Sequence, residues 1–390
     1  MVEDQLEARD KFDLSHILKD KGLTVVFAKD VSKSRFDMSN INAMLSRVKL
    51  REKIIFTRNL SSMIGAGISL SRALEILEKQ SRNPKFKKAL RALSASIQEG
   101  DTLSNAMRKF PSIFSSLFIA MVHAGEESGK LVESLNVVGK QLEESYNLRK
   151  KVKGAMMYPS IVVFAMVIIG ILMFIYVVPT LTSTFKEFNV ELPISTKIIM
   201  GISDFLVAHT IAAISGIFIT IIGTMLSLRT KAGKRFSDYV VLHLPLISGI
   251  VKQYNAAQTT RTLSSLFSSG VSILESLKIT EEVLQNSYYK EVLSKAGDVI
   301  QKGIPLSSIF TENDNIYPML VGEMMQVGEE TGKLSEMLEN IANFYEDEVS
   351  AVTKDLSTII EPILMLFIAS AVGFFAISMI SPMYSLTASI

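Results

Sequence analysis

The sequence predicts an all-α polytopic membrane protein: two homologous cytoplasmic helical-bundle domains, about six helices each, and three transmembrane helices. Three observations carry the prediction. One pattern is written twice at a constant offset of 203 residues. Within each copy, apolar residues recur every three or four positions between glycine and proline breaks, the spacing of one buried helix face. Three long runs carry almost no charge and are long enough to span a bilayer.

The duplication is dense. Arg58-Asn59-Leu60-Ser61-Ser62 returns as Arg261-Thr262-Leu263-Ser264-Ser265, Gly67 as Gly270 and Gly100 as Gly303. Leu103-Ser104 returns as Leu306-Ser307. Gly125-Glu126-Glu127-Ser128-Gly129-Lys130-Leu131 returns as Gly328-Glu329-Glu330-Thr331-Gly332-Lys333-Leu334. Pro159 and Pro179 return as Pro362 and Pro382. An offset that never slips means two copies of one structural unit with no net insertion.

Residues 1–50 form a divergent cytoplasmic segment without a counterpart, with a short apolar patch at Val25-Val26-Phe27-Ala28. The first twenty residues are charged and lack the apolar stretch of a cleavable signal, so the amino terminus is expected in the cytoplasm. The first helical domain covers 51–153. Gly65-Ala66-Gly67 breaks its first helix and Ser69 can cap the second. Asn83-Pro84 is a cap followed by proline at the first helical position. Gly100 is a glycine stop, and Asp101 or Thr102 can cap the helix after it. Gly125 is expected to stop a helix and Ser128 to cap the next, with Thr331 doing so in the second copy. There Ser272-x-x-Glu275 also fits a capping box.

The first transmembrane run, 154–178, has 25 residues and no charge; as a helix it reaches ~37 Å. A short external link covers 179–204 and a second span 205–228. The second helical domain covers 229–358, the third span 359–386 and an external tail 387–390. Arg149, Lys150, Lys151 and Lys153 precede the first span, and Arg229, Lys231, Lys234 and Arg235 follow the second. An excess of basic residues marks the cytoplasmic side, so both bundles face the cytoplasm. The middle span belongs to neither copy and returns the chain, which makes the repeats parallel. Tyr158-Pro159 and Glu361-Pro362 lie at matching span entrances, where a shared bend is expected.

The 390 residues hold 41 basic and 39 acidic side chains, no Cys and no Trp. That balance implies no field for nucleic acid, and the missing thiols remove disulfides, thiol catalysis and thiolate metal sites. The glycine motif at 125–131 is not a phosphate loop: three residues separate its glycines, and leucine follows the lysine. Its bland role is a tight connection between helices. The four histidines are scattered, and the carboxylate pairs read as solvated helix faces. No catalytic, cofactor or metal site is expected. A transporter would place ionisable residues within the bilayer, and the centres of all three runs have none.

The chain resembles the inner-membrane platform proteins of type II secretion and type IV pilus assembly, the secretion F family, over roughly residues 50–390. The resemblance rests on Phe56-Thr57-Arg58-x-Leu60, Gly67-x-Ser69-Leu70, Glu99-Gly100-x-x-Leu103-Ser104 and Gly125-Glu126-x-Ser128-Gly129-x-Leu131. It continues through Lys150-x-Val152-x-x-Ala155-Met156-x-Tyr158-Pro159 to Pro179. The second copy departs where Glu361 replaces the tyrosine and Asp314 replaces Pro111. The resemblance implies a non-enzymatic platform in the bacterial inner membrane. Its implied partners are a hexameric assembly or retraction ATPase, pilins or pseudopilins, other inner-membrane assembly proteins and lipid, with a homo-oligomer expected. Contact candidates are Arg58, Gly67, Gly100, Gly125, Glu126, Gly129, Tyr158, Pro159 and Pro179, with Arg261, Gly270, Gly303, Gly328, Glu329, Gly332, Pro362 and Pro382.

Overall fold

In a computed structural model, residues 47–187, 193–245 and 247–388 are described. The patch at Val25–Ala28 lies outside them. By contact the chain divides into two units, 1–47 with 83–85, and 48–82 with 86–390. Apart from residues 83–85, both repeats belong to the second unit.

The first repeat has six helices: α1 (Leu50–Gly65), α2 (Leu70–Gln80), α3 (Pro84–Gln98), α4 (Leu103–Arg108), α5 (Ser116–Glu127) and α6 (Leu131–Ala155). Its breaks follow the sequence signals. Asn83 accepts from the Lys85 N–H at 3.1 Å at the start of α3. Thr102, not Asp101, caps α4 by accepting from the Asn105 N–H. Ser69 stands at the N-cap of α2 without a side-chain hydrogen bond. Helix stops fall at residues of positive φ, Gly67, Gly100 and Gly129, and again at Gly270, Gly303 and Gly332. A left-handed residue at that point closes the last carbonyls of a helix, and glycine adopts it without steric strain.

Past α6 the chain turns at Met156 and continues as α7 (Met157–Leu172), a π turn (Met173–Val177) and α8 (Val178–Glu187). Next come α9 (Ile194–Ala208), α10 (Thr210–Arg229) and α11 (Lys231–His243). The second repeat again has six helices: α12 (Ser248–Ser268), α13 (Ile273–Val283), α14 (Ser287–Gln301), α15 (Leu306–Glu312), α16 (Met319–Thr331) and α17 (Leu334–Ala388). Ser272 caps α13 through the Glu275 N–H.

Two runs among the described residues are long and apolar enough to cross a membrane, Leu131–Ser183 and Leu334–Ile380. Their apolar stretches are turned outward: Phe164, Ile169, Tyr176, Leu366, Phe367 and Ile377 are all exposed. A helix in the core of a soluble protein would bury such residues. The segment read as the middle span is not one helix. It breaks at His209, so residues 205–208 end α9 and α10 carries the rest. The two matched entrances also differ, because the chain breaks at Met156 ahead of Pro159 while α17 runs unbroken past Pro362.

Each repeat has its own core. In the first, Phe56, Phe86, Phe114 and Phe118 pack edge to face or tilted, with Phe56 and Phe86 centroids 5.4 Å apart. In the second, Tyr289, Tyr317 and Phe310 fill the centre, Tyr317 lying 4.8 Å from each of the other two rings. Leu266, Val271 and Ile279 of the second repeat join the first repeat's core, so the two bundles share a continuous seam.

Candidate functional site

The duplicated residues gather into three arrangements, and all three hold helices together. The first is a carboxylate clasp. The connection after α5 closes as a glycine-terminated helix end, with the Lys130 N–H on the Gly125 carbonyl at 2.8 Å and the Gly129 N–H on that of Glu126 at 3.2 Å. This presents Glu126 to the N-terminus of α4, where it accepts from the N–H groups of Leu103 and Ser104. The second repeat repeats the clasp: Glu329 accepts from the Leu306 N–H at 2.6 Å, the Ser307 N–H at 3.3 Å and the Ser307 hydroxyl. Helix N-termini leave unpaired donors and a partial positive charge, and a carboxylate satisfies both. The repeated Leu-Ser and Gly-Glu motifs are thus two halves of one contact.

Two expectations change here. Gly125 does not stop its helix; α5 continues to Glu127. Its missing Cβ serves close packing, since a Cβ there would stand 2.4 Å from that of Ser134, and one at Gly328 would stand 2.8 Å from the Cα of Leu334. Nor do Ser128 and Thr331 cap the following helices. Each donates back to a carbonyl of its own last turn, Ala124 and Val327, at 2.7 Å, the local i to i−4 bond that a hydroxyl at a helix end can make.

The second arrangement explains Pro179 and Pro382. In the π turn the Val178 N–H reaches the Met173 carbonyl, five residues back. The Phe174 carbonyl would take the N–H of residue 179, and proline has none. The Ser203 hydroxyl donates to it instead, at 2.6 Å. In α17 the Ser378 carbonyl would take the N–H of residue 382, again a proline, and the Thr196 hydroxyl donates to it at 2.5 Å. Thr196 and Ser203 lie two turns apart on one buried face of α9, with Ile199 and Met200 between them. One helix therefore satisfies the orphaned carbonyls of both long runs. An unpaired carbonyl in apolar surroundings is costly.

The third is the seam between repeats. Gln141 of α6, 2% exposed, donates to the Thr262 hydroxyl at 3.3 Å and accepts from Ser265 at 2.9 Å. Lys140 pairs with Glu339 at 2.7 Å, and Lys151 donates to the Ser350 hydroxyl at 2.5 Å. Beneath this cover Arg261 forms a two-pronged pair with Glu346, Nε to Oε1 at 2.8 Å and an Nη to Oε2 at 2.7 Å, and also reaches Asn343. Burial alone would lower the Arg261 pKa. The bonded Glu346, with Glu144 and Glu339 nearby, raises it, so the cation is secure. The Lys140 ammonium holds the Glu339 carboxyl below its usual range, against its partial burial.

The sequence profile of type II secretion system protein F matches twice, over residues 56–179 and 259–382. The chain belongs to the type II secretion system protein F family. It is similar to the type IV pilus assembly protein PilC of Thermus thermophilus, 34% identical over 99% of this chain and 95% of that protein. The PilC of Myxococcus xanthus is 32% identical, covering 99% and 92%. Type II secretion system protein F of Aeromonas hydrophila is 28% identical, covering 95% of each. These names describe assembly and secretion components and none an enzyme.

Both ends of the family match lie on features already described. Phe56 and Thr259 sit in the two cores, and Pro179 and Pro382 free the carbonyls that α9 takes. The glycine motif repeated within this chain is the clasp. Tyr158 is exposed at the start of the apolar run, with Pro159 buried beside it. Sequence reasoning missed Gln141, Thr196 and Ser203. The last two had a signal: hydroxyls at helical spacing in an apolar segment that follows one proline-bearing run.

Proposed function

We propose that this chain is the inner-membrane platform of a type IV pilus or type II secretion machine. It couples a cytoplasmic hexameric assembly ATPase to the extraction and polymerisation of pilin or pseudopilin subunits. The observation that carries the reading is the duplicated bundle followed in each copy by a long apolar helical run. A load on the second bundle passes along α17 into its apolar stretch, and one on the first passes through α6 and the turn at Met156 into α7, while the clasps and seam hold the bundles together. Family membership and the curated relatives' names support the same role.

The proposed topology has three spans, with α10 making the return. Both bundles and the amino terminus are cytoplasmic, and the carboxyl terminus is external. Reporters placed at Ser96 and Val299 should report the same side of the membrane; opposite sides would sink the topology. For the role itself, the full chain should co-purify with its cognate ATPase, and its deletion should abolish fibres or secretion. Normal fibres without it, together with no ATPase binding, would overturn the platform reading.

A further inference from the structure

The seam between the repeats is heterologous: one face of the first repeat covers a different face of the second. Among the described residues, both hydrogen bonds that run from α6 to α17, Lys140 to Glu339 and Lys151 to Ser350, join residues 199 apart, four short of the 203-residue repeat offset. The matching helices α6 and α17 therefore pack in parallel, displaced by one turn. A contact of this kind uses each of its two faces once within the chain and leaves one copy of each unused.

Among the described residues, nothing is docked on the unused faces. On the first repeat, Ile55, Arg58 and Ser62 of α1 are exposed. Their counterparts Gln258, Arg261 and Ser265 are buried. On the second repeat, Asn343, Phe344, Asp347 and Lys354 of α17 are exposed, where the counterpart of Phe344 is the buried Gln141. Phe344 is 47% exposed on a helix face where Asn343 and Asp347 are its exposed neighbours.

We propose that a second copy of this chain docks its α17 face onto the α1 face of the first, repeating the internal seam between molecules. Shifting each internal pair by 203 residues gives a compatible pair. Glu144, which lies near enough to Arg261 to stabilise its charge, becomes Asp347 facing Arg58. The ion pair Lys140–Glu339 becomes Asn343 with Asn136, so both partners lose charge together. Lys151 with Ser350 becomes Lys354 with Asn147. Gln141 against Thr262 and Ser265 becomes Phe344 against Asn59 and Ser62, with exposed Ile55 one turn away. The inference rests on the repeats alone and stands without the platform role.

The chain has no cysteine, which makes cross-linking clean. Full-length Ser62→Cys and Phe344→Cys chains carrying different tags are mixed in detergent and treated with a short bis-maleimide. The expected result is a mixed-tag dimer, with little product from either variant alone. Arg58→Asp in the Ser62→Cys chain should abolish the mixed product, and Asp347→Arg in the partner should restore it. No mixed product, product from either single variant alone, or a yield indifferent to Arg58→Asp would each overturn the proposal. All four positions are exposed, so folding is not at stake.

Discussion

Arg58 and Arg261 occupy the same position of the same motif and face the same partner, since Glu143 and Glu346 are also 203 residues apart. Yet the Arg58 side chain is 68% exposed and its pair is loose, at 3.7 Å, while that of Arg261 is 5% exposed and grips its carboxylate at 2.7 Å. The backbone does not make the difference. The first repeat lies over α12 of the second and shuts water away from Arg261; among the described residues nothing lies over α1 in the same way. One motif therefore has two energetic meanings, set by what is docked on it.

The largest expected effect breaks that comparison directly. Arg261→Ala leaves Glu346, its side chain only 13% exposed, without its partner, and should destabilise the second repeat by about 3 kcal/mol. Arg58→Ala should change stability by no more than about 1 kcal/mol. Thermal unfolding of the two full-length variants in one detergent checks this. Equal losses would mean that burial does not separate the two pairs.

Next comes a test of what the repeats share. Gly125→Ala and Gly328→Ala should each cost about 1–3 kcal/mol through overpacking. Gly125→Ala should be the worse, because its new Cβ would stand 2.4 Å from the Ser134 Cβ, an atom fixed to the backbone, against 2.8 Å from the Leu334 Cα at Gly328. Gly129→Val and Gly332→Val act by a different route, forcing a β-branched residue to positive φ. Both pairs are read out by unfolding; a neutral Gly328→Ala would show that α16 and α17 can part without loss.

A third test concerns the two prolines. Ser203→Ala should cost about 1–3 kcal/mol by leaving the Phe174 carbonyl unpaired. Adding Pro179→Ala supplies an N–H five residues on and should recover most of the loss. Thr196→Val with Pro382→Ala makes the matching cycle in α17, where the new N–H lies four residues on. Purely additive losses in both cycles would remove the hydroxyl-for-amide argument.

Much of the fold was legible because its signals are local. Glycine and proline breaks delimit twelve bundle helices, and their apolar spacing gives the faces. The clasp was half legible: Leu-Ser and Gly-Glu both stood out as repeats, but 22 or 23 residues separate their bonded partners, and no local rule links them. The capping expected of Ser128 failed because a hydroxyl at a helix end can serve the helix behind it as well as the one ahead. The burial of Arg261 was illegible, since it depends on a face of α6 more than a hundred residues away.

The smallest effect sharpens the contrast between the two cores. Phe86 and Phe114 of the first repeat stand where Tyr289 and Tyr317 stand in the second, and Leu142 stands where Tyr345 does. Burial pushes both core tyrosines well above the ordinary phenol range, and burial with Glu348 nearby pushes Tyr345 up to about 12. A phenol whose folded pKa is raised contributes stability that is complete below its unfolded value, near pH 10, and is lost as the pH climbs toward the folded value. Each such tyrosine then removes about 1.4 kcal/mol per pH unit. Between pH 10 and 11.5 the second repeat should therefore loosen before the first, seen as earlier proteolytic cleavage within 248–345 than within 50–142. Tyr289→Phe with Tyr317→Phe should delay that cleavage, because Thr259 keeps its own bond to the Asn255 carbonyl and no buried phenol remains at the centre to ionise. If both repeats yield at one pH, in wild type and variant alike, the exchange of phenyl for phenol does not set their relative stability.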